Sequence, residues 1–172
     1  LQRAVRVVRS QAAAEGLDPK RMGIMGSSAG GHLTLMGATS SKQRSYWPID
    51  ELDKLPCNAQ WAVAIYPAYA LTDGANGKNV KGGNEDDARL VPEFAFDLAT
   101  CPMLFIHGDA DGYAAMNSVK TWEQLRRMGI QSDLHTLAKR GHCFQMKAAL
   151  GTGSYTWMDR IWEFMNHKGY NQ

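Results

Sequence analysis

Short apolar runs, each bounded by glycine or proline and separated by helix-like stretches, constrain this chain more than any other feature. "MGIMG" (22–26), "QWAVAIYPAY" (60–69) and "CPMLFIHG" (101–108) are continuous runs of strand length. Runs that do not alternate fit strands buried on both faces. "SDLHTLA" (132–138) alternates and reads as a fourth strand. Helical stretches lie around them. "AGGHLTLMGATS" (29–40) follows the first run. Residues 114–128 place Ala115, Val119, Trp122 and Leu125 on one face. Residues 154–167 place Met158, Ile161, Trp162 and Met165 on another. At the amino end, Leu1, Ala4, Val5, Val8 and Ala12 keep helical spacing. Arg3, Arg6 and Arg9 read as a solvated stripe on that helix, and Gly16 reads as its stop. Such alternation predicts an α/β fold, a mostly parallel sheet with helices on both faces. Ligands of such sheets bind beyond the carboxyl ends of the strands. Chemistry is therefore expected just after Met25, Tyr66, Ile106 and Ala138.

Composition narrows the function classes. The 172 residues suit one domain, residues 1–172, and a formal net charge of +2 with scattered cations gives no footprint for nucleic acid. No apolar run approaches the roughly 18 residues that span a bilayer. Cys57, Cys101 and Cys143 are too widely spaced for a zinc site, and they allow one disulfide at most. Nothing calls for a metal or cofactor. The segment "TDGANGKNVKGGNEDD" lies within a long, turn-rich connection over 71–99. Connections of that length are often functional.

The expected strand ends hold a specific set of residues. After the first comes Gly26-Ser27-Ser28-Ala29-Gly30. The G-x-S-x-G spacing places Ser28 on a sharp strand-to-helix turn, where a Cβ at either flanking glycine is expected to collide with neighbouring backbone. Ala29 opens the helix, so its N–H and the positive dipole end favour an oxyanion there. A Gly/Ser turn is also a common structural loop. After the third strand stand Asp109 and Asp111, which equally fit capping and turn making. After the fourth stands His142, in a loop. Together the three residue types change the weight of each. Serine needs a histidine to take its proton, and that histidine needs a carboxylate to fix its tautomer. Ser, Asp, His is the chain order of the α/β-hydrolase triad.

"GLDPKRMGIMGSSAGGHL", "PMLFIHGDADGYAA" and "RGHCF" resemble the α/β-hydrolase superfamily, over nearly the whole chain. The first is most similar to the esterase branch of carbohydrate acetyl- and feruloyl-esterase-like proteins. The resemblance implies the C-terminal part of an α/β-hydrolase fold. It assigns the nucleophile to Ser28, the acid to Asp111 rather than Asp109, the base to His142 and one oxyanion donor to the Ala29 N–H. It implies a serine esterase acting on short-chain acyl esters, with sugars and polysaccharides among the alcohols. Ser27 is expected to support the elbow and His107 to be structural. His32 is expected to hydrogen-bond locally, and neither His135 nor His167 is assigned to catalysis. The 71–99 segment and residues 112–116 are expected to shape the pocket.

The chain departs from the family's pattern in three places. Gly112-Tyr113-Ala114-Ala115 stands where relatives often carry a Pro/Val-rich stretch, and Cys143, expected to pack, stands beside the base. The family's HGGG loop, source of the second oxyanion donor, does not occur here. The nucleophile strand near Ile24 is therefore expected to have an open edge, covered by further polypeptide, a partner chain or an oligomer. Two other readings stay open: a prolyl-oligopeptidase-type serine peptidase and a non-catalytic binding remnant of a hydrolase.

Overall fold

A computed structural model describes residues 1–72, 88–147 and 154–170. The elements run α1 (Gln2–Ala12), β1 (Gly23–Ser27), α2 (Ala29–Thr39), β2 (Trp61–Ile65), β3 (Met103–Gly108), α3 (Met116–Arg127), β4 (Asp133–Leu137) and α4 (Trp157–His167). Each predicted strand forms, ending within two residues of its expected end. The four join in one parallel sheet of order β1-β2-β3-β4. Register aligns Ser27 with Ile65, Ile65 with Ile106, and Gly108 with Leu137, so the carboxyl ends lie side by side. Among the described residues β1 pairs with β2 alone and is an edge, with Met25 57% exposed.

Alternation along β2 and β3 divides the core. Ala62, Ala64, Met103 and Phe105 pack with Leu35 and Ala38 of α2 and Leu125 of α3. Val63, Ile65, Leu104 and Ile106 pack with Phe144 and with Phe164 of α4. Helices therefore cover both faces, as predicted. The small side chains of β2 and the glycines of α2 let that helix approach closely. A Cβ on Gly31 would lie 2.9 Å from the Pro67 Cα.

Three helix faces differ from their sequence reading. Arg6 and Arg9 are buried, because their guanidinium groups donate to backbone carbonyls of the irregular segment that follows α2. Arg6 bonds the Leu55 carbonyl, and Arg9 those of Pro56 and Asn58. Arg3 pairs with Asp50 and Asp53. The expected solvated stripe is thus the helix's attachment. Its final turn closes through Gly16, at φ 69°. On α4, Met158 and Trp162 are exposed, while Phe164 is buried with Trp157 and Ile161 beside it. On α3 the buried face holds the polar Asn117, Ser118 and Thr121 beside Leu125. Residues 73–87 of the long connection lie outside the described residues. Its two ends meet in an antiparallel bridge between Leu71 and Leu90.

Candidate active site

The turn from β1 into α2 bends at Ser28, which has φ 57° and ψ −123°. L-residues rarely hold such backbone, and it persists only where neighbours over-determine it. Here the Ser28 N–H donates to the Ile65 carbonyl at 3.0 Å. Its carbonyl accepts from the N–H groups of His32 at 3.1 Å and Ala68 at 3.2 Å. Ala29 is the first residue of α2, so its N–H has no acceptor within the helix. Gly26 is required by space, since a Cβ there would meet the Gly30 carbonyl oxygen at 2.2 Å. Gly30 is not: a Cβ there meets nothing within 4 Å. The tight glycines are Gly26 and Gly31, because the helix leans on Pro67 through the residue after Gly30.

The segments that carry Asp111 and His142 are brought together by backbone. The Asp109 N–H donates to the Leu137 carbonyl at 3.0 Å, and the Ala110 N–H to the Arg140 carbonyl at 2.9 Å. Gly108 makes this approach feasible, since a Cβ would lie 2.2 Å from the Arg140 oxygen. Lys139 and Cys143, on either side of the base, hold positive φ values of 61° and 60°. Gly108→Ala should push the base loop off β3. We expect kcat/KM to fall about 100-fold and stability by about 1–3 kcal/mol, read by ester hydrolysis and thermal unfolding.

These constraints place the three predicted residues in line. Ser28 Oγ lies 2.7 Å from His142 Nε2, and His142 Nδ1 lies 2.7 Å from Asp111 Oδ2. Asp111 is 2% exposed, whereas Asp109 is exposed. Burial pushes the Asp111 carboxyl up, but hydrogen bonds from His107, the Tyr113 N–H and His142 outweigh it and hold the group below its ordinary value. An ionised carboxylate only accepts, so the imidazole proton sits on Nδ1. Nε2 is then free to accept the Ser28 hydroxyl proton.

The BD-FAE family, an α/β-hydrolase esterase domain, matches residues 1–125, most of the chain and both Ser28 and Asp111. The chain belongs to the BD-FAE family. No curated protein matches significantly. Among solved structures, this BD-FAE chain is similar to an acetyl ester-xyloside bifunctional hydrolase from Caldicellulosiruptor lactoaceticus. That likeness has a TM-score of 0.79 and 22% identity, over 98% of this chain and 64% of that one. It is also similar to esterase 2 of Thermogutta terrifontis. The butyrate-bound form gives a TM-score of 0.72 at 22% identity, over 97% of this chain and 63% of that one. The form phosphoramylated by tabun gives a TM-score of 0.73 at 22% identity, over 97% and 62%. The likeness establishes an α/β-hydrolase fold and extends past residue 125 to β4 and its histidine loop. The chain spans a little under two thirds of the length of these structures.

The remaining BD-FAE site residues fall into two groups. Ser27, the last residue of β1, lies beside the Tyr66 phenol and offsets part of the rise that burial gives that group. His107 is fully buried, bonded to Ser118 Oγ at 2.8 Å and to the Tyr113 carbonyl at 2.8 Å, and it backs Asp111 at 3.5 Å. His32 differs from expectation. Its Nδ1 is buried without a partner among the described residues, and its ring lies 5.3 Å from that of Phe94. Cys143 is exposed rather than packed, because the left-handed backbone turns it outward, and all three cysteines are free. His135, on β4, and His167, at the end of α4, take no part in the hydrogen-bonded line.

The sequence reading placed Tyr113 in a pocket-shaping segment but did not single out the aromatic contacts of His142. Tyr66, at φ 35°, has its ring 4.8 Å from the His142 ring, and its hydroxyl also bonds Gln145. Tyr113 has its ring 4.8 Å from His142 as well. Tyr66 stood at a predicted strand end, the one signal that could have found it.

Proposed function

We propose that this chain is a serine carboxylic-ester hydrolase in which Ser28 attacks the ester carbonyl. The observation that carries the reading is the continuous hydrogen-bond line from Ser28 through His142 to Asp111, with the serine at the head of α2. As the Ser28 oxygen bonds to the carbonyl carbon, its proton passes to His142 Nε2. The negative Asp111 stabilises the imidazolium, and the Ala29 N–H meets the oxyanion. His142 then gives the proton to the leaving alcohol. A water, deprotonated by His142, attacks the acyl-serine, releasing the acid and restoring Ser28. Short-chain acyl esters of sugars or polysaccharides are the substrates, a choice supported by family membership and by likeness to an acetyl ester-xyloside hydrolase. A fluorophosphonate should leave its adduct on the peptide containing Ser28, and the chain should hydrolyse p-nitrophenyl acetate. An adduct elsewhere, or no adduct and no turnover, would sink the reading.

The reading extends to β1. Its carboxyl end leads into the nucleophile turn, and residues 1–172 form one domain completed across the open edge of β1 either by further polypeptide, which brings the second oxyanion donor, or by a second copy. Light scattering on the chain alone should show a dimer or larger species, and a lysine at the exposed Met25 (Met25→Lys) should dissociate it. A monomer at every concentration would overturn the self-pairing.

A further inference from the structure

Two tyrosines stand beside the base without a part in the triad. The Tyr113 ring lies 4.8 Å from the His142 ring, and the Tyr69 ring lies 5.4 Å from that of Tyr113. Their hydroxyl oxygens are 3.3 Å apart. Tyr69 is 38% exposed, and Tyr113 is half-buried. Their backbones, by contrast, are fixed. The Tyr113 N–H donates to Asp111 Oδ1 at 2.8 Å, and its carbonyl accepts from His107 Nε2. Tyr69 holds φ 62°, and the Ala70 N–H next to it donates to the buried Asn117 Oδ1 at 2.8 Å. Backbone strain of this kind costs about 1–3 kcal/mol and gathers at ligand sites.

Position says what the pair would meet. The leaving oxygen of an ester takes its proton from His142 Nε2, so it must come within hydrogen-bond reach of that atom. The alcohol attached to it extends past the imidazole. Of the two rings against that imidazole, Tyr66 is 2% exposed and closed in by Phe144 and Gln145. Tyr113 and its neighbour Tyr69 are the ones a bound molecule reaches.

We propose that Tyr69 and Tyr113 form the subsite for the leaving alcohol, and that it takes a ring bearing hydroxyl groups. This rests on the esterase reading above. Aromatic faces suit the C–H face of a ring, and paired phenols offer both donors and acceptors to its hydroxyls. With the two hydroxyl oxygens 3.3 Å apart, one phenol donates to the other and the pair keeps one proton to offer a ligand. A linear alkyl alcohol has nothing to offer either phenol.

Acetyl esters that share the acyl group and differ in the alcohol isolate the effect. The pair is an acetylated methyl β-xylopyranoside and ethyl acetate. In Tyr113→Ala, kcat/KM for the xyloside relative to ethyl acetate should fall by about tenfold or more. Tyr69→Phe keeps the ring and loses the hydroxyl, and should lower that ratio about threefold. If the tyrosines merely support His142, both substrates lose alike. An unchanged ratio therefore overturns the subsite and leaves the esterase reading standing. A second measurement needs no turnover. Titrating the free alcohol, methyl β-xylopyranoside, into the 15N-labelled chain should shift the amides of Tyr69 and Tyr113, and Tyr69→Phe should weaken the response. No shift at those amides overturns the subsite whether or not esters are cleaved. Shifts without hydrolysis of any ester would sink the esterase reading alone.

Discussion

Ser28→Ala should keep the fold and lose on the order of 10⁴- to 10⁶-fold in p-nitrophenyl acetate turnover. The expectation separates structure from chemistry because Ser28 is held by its backbone. Its N–H and carbonyl make three hydrogen bonds, to Ile65, His32 and Ala68, that alanine keeps. What alanine removes is the oxygen 2.7 Å from His142. Alanine bears the left-handed φ no more easily than serine, so thermal unfolding should move little. Fluorophosphonate labelling should vanish in parallel with turnover. A variant that still labels elsewhere and still turns over would place the nucleophile at another residue.

Asp111→Asn should cost almost as much, about 10⁴-fold in kcat, for a different reason. The amide has nearly the volume of the carboxyl, so the buried pocket between His107 and the Tyr113 N–H stays filled. With its oxygen retained toward that N–H, the amide NH2 faces His142 Nδ1 and donates. The imidazole then carries its proton on Nε2, where it can no longer take one from Ser28. The wild-type carboxyl is held below its ordinary value by three hydrogen bonds, so it is ionised at neutral pH and fixes the productive tautomer. Circular dichroism should show an intact fold, and burst kinetics should locate the loss in acylation. A loss below about tenfold would mean that Asp111 only fills space.

The sheet and the positions of the three residues of the proposed triad were legible because their signals are local. Three strands are continuous apolar runs, and the nucleophile, acid and base each follow a strand end within a few residues. Choosing Asp111 over Asp109 needed the family resemblance, since spacing alone favours neither. What sequence concealed depends on partners distant in the chain. Arg6 and Arg9 looked solvated because their acceptors, carbonyls of residues 55–58, arrive only through tertiary structure. The apolar face read on α4 was right only in part: Ile161 packs beside the buried Phe164, whereas Met158 and Trp162, no less apolar, are exposed. Asn117 and Ser118 escaped notice because a polar residue on a helix reads as surface. Here they bond the Ala70 N–H and His107 behind the site. The aromatic contacts of His142 come from two separate loops, and no spacing encodes them.

The strand order has a consequence for how the molecule fails. Each strand pairs with the next along the chain, so the sheet can zip up from neighbours close in sequence. The line between Ser28 and His142 instead joins residues 114 apart, at opposite ends of that sheet. It closes only when the fourth strand has docked and its loop has settled against Gly108. Reactivity of Ser28 is therefore a gauge of the last docking event. Loosening of the β4 loop under denaturant would silence the serine while helices and inner strands still hold.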